Sequence, residues 1–170
     1  MSIHLKTAII LTMPEKLIKK IHLWLKNHKK TIAVAESCTG GQLCSLLTRS
    51  PGASDYFILG VVTYSNKSKE MVLNIPAKII NKYGAVSRQV AALMAKSIRG
   101  KNHTDFGLSV TGIAGPTGAT PAKPIGTVYI CLSKKNKNVC RKFNFCGSRQ
   151  NIRNQATQSA LHLLCAHLSQ

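Results

Sequence analysis

Acidic side chains are what this 170-residue chain has least of: five Asp and Glu stand against 24 Lys and Arg, a formal charge of +19. The five (Glu15, Glu36, Asp55, Glu70 and Asp105) are dispersed, so a carboxylate cluster for a hard divalent cation has poor support. No two of its six cysteines (Cys38, Cys44, Cys131, Cys140, Cys146, Cys165) are spaced C-x-x-C. No histidine stands at a zinc-ligand spacing from them either, so no metal site is expected. No run of 18 apolar residues is present, which excludes a membrane-spanning helix. The apolar patch Ala8 to Leu11 is too short for a signal-peptide core and no small-residue cleavage site follows it. A cytoplasmic location is therefore expected, and with it six reduced thiols. There is no aromatic-rich RNA-binding pattern, helix-turn-helix or zinc finger. The basic residues are scattered (Lys16, Lys19, Lys20, Lys26, Lys29, Lys30, Lys78, Lys82, Lys96, Lys101, Lys134, Lys135, Lys137), as on solvated helix faces and turns. Specific nucleic-acid binding is not expected; a positive field would also draw in a small anionic substrate.

What is present fits one globular domain over residues 1–170, with its core at about 13–168. Leu17, Ile18, Ile21, Trp24 and Leu25 recur at helical spacing, which predicts a helix over Met13–His28 with Pro14 in its first turn. Further helices are expected at Thr39–Leu47, Lys67–Leu73, Pro76–Lys82, Arg88–Arg99 and Arg149–Leu168. Strands are expected at Thr31–Ala35, Phe57–Thr63, Phe106–Val110, Gly126–Leu132 and Val139–Phe145, the last two joined as a hairpin through Lys134–Asn138. Helices and strands interleave throughout, as in an α/β fold whose mixed sheet carries helices on both faces.

Three polar or glycine-rich loops follow strands. Ala35-Glu36-Ser37-Cys38-Thr39-Gly40-Gly41 places Ser37 at a strand-to-helix turn, where free N–H groups and the helix dipole favour negative charge. Ser37 is then a candidate nucleophile with an oxyanion cradle at Thr39 to Gly41. A plain helix cap is the competing reading, and Cys38 is a rival nucleophile whose thiol pKa a helix N-terminus would lower. Tyr64-Ser65-Asn66-Lys67-Ser68-Lys69 supplies a phenol, hydroxyls, an amide and amines, or alternatively just a helix cap at Ser65 or Asn66. Thr111-Gly112-Ile113-Ala114-Gly115-Pro116-Thr117-Gly118-Ala119 suits an anion, yet it is neither a Walker A nor a Rossmann loop. The histidines (His4, His22, His28, His103, His162, His167) all lie outside these loops, so a lysine base from the second loop, Lys69 or Lys67, is favoured over a Ser-His-Asp triad.

Taken in order, these loops with Pro51-Gly52-Ala53-Ser54, Gly84-Ala85-Val86-Ser87 and Lys123-Pro124-Ile125-Gly126-Thr127-Val128 resemble the CinA C-terminal domain family from about Met13 to Leu168. The resemblance implies a three-layer α/β/α sandwich with a mixed, mostly parallel sheet, in a stand-alone form without the N-terminal domain of longer relatives. It implies a nicotinamide-nucleotide amidase that converts nicotinamide mononucleotide and water to nicotinate mononucleotide and ammonia, with no cofactor. It assigns Ser37 as nucleophile, with Tyr64 and Lys69 as partners. Thr39, Gly40, Gly41, Asn66, Thr111, Gly112, Gly115, Arg149 and Arg153 are implied around the substrate. The chain departs from the family pattern at Ala119, at Ser148 of Gly147-Ser148-Arg149, and at Arg88 after Gly-Ala-Val-Ser. Alternatives are a nucleotide-binding regulator without catalysis, a basic nucleic-acid-associated protein, and amidase chemistry on another substrate. The sequence leaves a homo-oligomer open, because apolar helix faces are needed for the core.

Overall fold

The computed structural model describes the backbone of residues 3–168 and the side chains of 15–168. Strands β1 (Ile32–Glu36), β2 (Phe57–Val62), β3 (Phe106–Gly112), β4 (Thr127–Ser133) and β5 (Asn138–Asn144) form one sheet in the order β2-β1-β3-β4-β5. β1 pairs parallel with β2 and β3, while β4 pairs antiparallel with β3 and β5. Only β4 therefore runs against the rest, so the sheet is mixed and mostly parallel in strand direction.

Side-chain alternation along the strands sorts the core onto the two faces. Ile32, Val34, Leu108, Val110, Ile130 and Leu132 pack with helices α1 (Ile3–Asn27), α2 (Gln42–Leu47) and α6 (Arg149–Cys165). Ala33 and Ala35 face α3 (Asn66–Leu73), α4 (Ala77–Tyr83) and α5 (Arg88–Lys101). The second face is built from small residues because α5 lies close against it. A Cβ on Gly107 would stand 2.2 Å from the Ala95 carbonyl oxygen, and the Ser109 hydroxyl donates to the Ala91 carbonyl at 2.7 Å. The result is the three-layer α/β/α sandwich.

Three differences from the sequence reading have physical causes. α1 starts upstream of Met13, so Pro14 lies inside it; proline marks a helix start only as a tendency, because its missing N–H costs least in a first turn. α2 starts at Gln42 rather than Thr39, because Gly40 and Gly41 adopt φ of +62° and +97°, outside the right-handed helical region. Cys131 and Cys140, expected as thiols, form a disulfide: they are direct register partners across β4 and β5, a neighbourhood that strand pairing alone creates. Cys38, Cys44, Cys146 and Cys165 are free.

The ends of β1, β2 and β3 and the start of β4 meet at one edge of the sheet, so the three loops singled out in the sequence converge there. Among the described residues no helix is long and apolar enough to cross a membrane.

Candidate active site

Lys69 is the chemical centre of this edge. Helix α3 begins at a capping box, in which Ser65 and Ser68 each accept the other's backbone N–H, at 3.0 and 3.1 Å. The cap reading of Ser65 and the site reading of the loop thus both hold. One turn later, Lys69 folds back toward the helix start, as helical side chains do. It is only 1% exposed. Its ammonium nitrogen donates to the Thr63 carbonyl at 2.7 Å, to the Tyr64 carbonyl at 3.4 Å and to the Ser37 hydroxyl at 3.2 Å. Burial penalises the charged form and brings the Lys69 pKa down to about 8. A buried amine that is substantially neutral near pH 8 and touches a hydroxyl is a competent general base.

Ser37 directly follows β1 and is 7% exposed. The turn after it is organised by Glu36, which the sequence reading left without a role. Fully buried, Glu36 accepts N–H bonds from Gly41 at 2.9 Å, Leu43 at 3.2 Å and Cys44 at 2.8 Å. It thereby caps α2, whose first turn carries no other acidic residue. The signal for it was a carboxylate at the end of an apolar strand, since a buried charge must find partners.

This capping occupies two of the amides expected to face an oxyanion. The Gly41 N–H belongs to Glu36 and the Gly40 N–H to the Ser37 carbonyl at 3.1 Å. The Cys38 and Thr39 amides donate to no backbone carbonyl among the described residues. They are the donors next to the Ser37 oxygen along the chain.

Burial weighs against Cys38, the rival nucleophile of this turn. Burial pushes its thiol up to about 12, with the Glu36 charge adding to the rise, which disfavours the reactive thiolate at neutral pH. Cys38→Ala should therefore leave turnover within about tenfold of wild type. A fall in steady-state turnover as large as that of a general base, about 10²–10⁴, would restore Cys38 as a nucleophile.

The cavity beside Ser37 encloses about 290 Å³ and is lined by Ser37, Tyr64 and Lys69, by Thr111, Gly112 and Gly115, and by Arg149 among others. Gly112 is needed for its shape, because a Cβ there would stand 2.6 Å from Val128 Cγ2 and 3.1 Å from Cys38 Sγ. The Thr111 hydroxyl is spent on the Ala85 carbonyl at 3.0 Å, which ties the third loop to the cavity wall. Arg149 spans the mouth, donating to the Gly115 carbonyl and, at 2.7 Å, to the Tyr64 hydroxyl. Tyr64 itself is 57% exposed.

The remaining expected site residues lie elsewhere. Arg153 sits one helical turn beyond Arg149, behind the Ser37 loop, where it donates to the Thr39 carbonyl at 2.7 Å and braces that turn. Gly40 and Gly41 line a different and larger opening of about 540 Å³ between α2 and α6, which touches neither Ser37 nor Lys69. Thr39 is fully buried, and Asn66 opens α3 on the outside of the domain. His22, His28, His103, His162 and His167 all lie away from the cavity, and His4 falls outside the described side chains. No metal-ligand cluster occurs among the described residues. Ser148, where the family pattern has an acidic residue, still caps α6 by accepting from Asn151 N–H at 3.3 Å.

Fold and site together define a three-layer α/β/α domain with a buried serine–lysine pair at the C-terminal edge of its parallel strands. The chain belongs to the CinA C-terminal domain family, whose sequence model matches residues 14–168. A CinA-like protein of Thermotoga neapolitana is 46% identical over 156 residues, 92% of this chain and 38% of that protein. A CinA-like protein of Syntrophomonas wolfei is 44% identical over 154 residues, 91% of this chain and 37% of that protein. The chain thus spans little more than a third of the length of these curated relatives. The crystal structure of a competence/damage-inducible protein from Agrobacterium tumefaciens superposes with a TM-score of 0.88 at 33% identity, covering 92% of this chain and 96% of that one.

Proposed function

We propose that this domain is a serine amidase that deamidates nicotinamide mononucleotide. The observation that carries the reading is the 3.2 Å contact between the Lys69 amine and the Ser37 hydroxyl in a buried setting that favours neutral lysine. Neutral Lys69 accepts the Ser37 proton as Oγ attacks the carboxamide carbon. The route is direct, since the Tyr64 hydroxyl is held by Arg149. Negative charge on the carbonyl oxygen is met by the Cys38 and Thr39 amides. The Lys69 ammonium returns its proton to the leaving nitrogen, ammonia departs, and the C–N bond has been exchanged for a Ser37 ester. Water, deprotonated by Lys69, cleaves that ester to give the carboxylate and free Ser37.

Amide and phosphate recognition divide between regions of the site. A cavity of about 290 Å³ takes the aromatic carboxamide head, so the ribose phosphate extends toward the mouth. Arg149 stands there, and its planar guanidinium suits a phosphate. The whole-protein activity follows the same reading: pyridine nucleotide recycling by a cytoplasmic enzyme.

Wild-type protein should release ammonia and nicotinate mononucleotide in equal amounts from nicotinamide mononucleotide, followed by coupled ammonia assay and chromatography. Absence of both products at high enzyme concentration would defeat the assignment.

A further inference from the structure

The edge of the sheet opposite the site gathers four connections: α1 to β1, the short turn before β2, α5 to β3, and the β4–β5 hairpin. Asp55 and Asp105 are the acids of this pole, and each is held by a lysine, Lys26 at 3.0 Å and Lys30 at 2.8 Å. Asp105 also accepts the Thr31 backbone N–H at 2.9 Å; against the rise from burial, the Lys30 hydrogen bond first and the Thr31 bonds next hold its carboxyl below the usual range. The exposed cations Lys29, Lys135 and Lys137, with His28 and His103, therefore face solvent without an unpaired carboxylate beside them.

From Lys29 before β1 to Lys135 and Lys137 between β4 and β5 the span is about three strand spacings, about 15 Å, with His103 and the Lys30–Asp105 pair at the β3 position between them. One strand of a nucleic-acid duplex places a phosphate every ~3.4 Å of axis, so this span passes about four phosphates, enough for each of the three lysines to meet one. The exposed large apolar side chains (Leu23, Ile58, Val62, Tyr64, Met71, Val72, Ile125) all lie outside these four connections. Among the described residues the pole thus has cations but no apolar wedge to enter a lipid surface, which favours a hydrophilic polyanion. Its position at the far edge of the sheet leaves the Ser37 cavity open when it is occupied.

We propose that this pole is a sequence-independent docking surface for the phosphodiester backbone of nucleic acid, separate from the amidase site. Lys29, Lys135 and Lys137 supply the contacts, and affinity comes from counterion release.

The test is fluorescence anisotropy of a labelled random-sequence 30-base-pair DNA with the full chain, between 50 and 300 mM NaCl. Wild type should bind at 100 mM, with log affinity falling linearly against log salt. The triple variant Lys29→Gln, Lys135→Gln, Lys137→Gln should bind at least tenfold more weakly and lower the slope by about 2 to 3. It should keep wild-type ammonia release and thermal midpoint, because all three side chains are exposed and remote from Ser37. A control triple of dispersed lysines, Lys19→Gln, Lys78→Gln, Lys96→Gln, should bind within about twofold of wild type. No binding at 100 mM, or an equal loss in the control triple, overturns the proposal. So does equal binding to phosphatidylserine vesicles, which would assign the surface to lipid. If ammonia release fails while DNA binding behaves as expected, the amidase reading falls and this one stands.

Discussion

Ser37→Ala and Lys69→Met should each reduce ammonia release by about 10³-fold, and the double variant should be no slower than the worse single. In the proposed mechanism the two side chains act as one unit: the hydroxyl is weak until the amine takes its proton, and every proton the amine then moves serves the ester formed on Ser37. Residues that work as a unit give strongly non-additive losses. Additive losses would mean that Ser37 and Lys69 serve different steps. The pH profile separates this mechanism from a merely structural role for Lys69. The neutral amine is the working form in the proposed mechanism, and burial brings its pKa down to about 8. Wild-type kcat/KM should therefore rise tenfold per pH unit below about 8 and level off above it. The residual activity of Lys69→Met should lack that limb. A wild-type profile flat from pH 6 to 9 would remove Lys69 as the base.

The sequence displayed the site's strands and loops because those features are local. A strand such as Ile32–Glu36 declares itself by a short apolar run, and the glycines of the first and third loops mark where backbone must turn. Burial is what it concealed. Lys67 and Lys69 stand together in the polar run Asn66 to Glu70, and as residues of one loop either can be the base; only the packing of α3 encloses Lys69 and leaves Lys67 exposed. Arg149 and Arg153 look equivalent as two cations one helical turn apart. Yet α6 enters the fold so that the first reaches over the cavity mouth and the second meets the back of the Ser37 turn. The Cys131–Cys140 pair was hidden for the same reason, since register across β4 and β5 is set by the hairpin and by packing under α5. Ligand placement, pairing and pKa all live on the link from sequence to tertiary contact.

Glu36 belongs to that hidden set and carries the largest expected stability effect. Its carboxylate is the acceptor for three amides in a fully buried position. Hydrogen bonds to a charged group contribute about 1.5–3 kcal/mol each, and an orphaned buried donor costs about 1–3 kcal/mol. Glu36→Ala removes the charge with its bonds, so relaxation and entering water recover part of the sum; a net loss of about 3–5 kcal/mol follows. For a domain of this length that is a fall of about 10–15 °C in thermal midpoint. Glu36→Gln keeps the shape and one acceptor oxygen. Its amide nitrogen must then oppose a backbone N–H at either the Cys44 or the Gly41 and Leu43 position, so a loss of about 1–3 kcal/mol is expected. Both variants should also lose turnover, since the capped α2 turn is what keeps the Gly41 amide occupied and the Ser37 loop in place. Chemical denaturation of both variants with the ammonia assay checks the order. If Glu36→Ala unfolds within about 1 kcal/mol of wild type, the three amides find other partners and the carboxylate has to be kept for the chemistry itself.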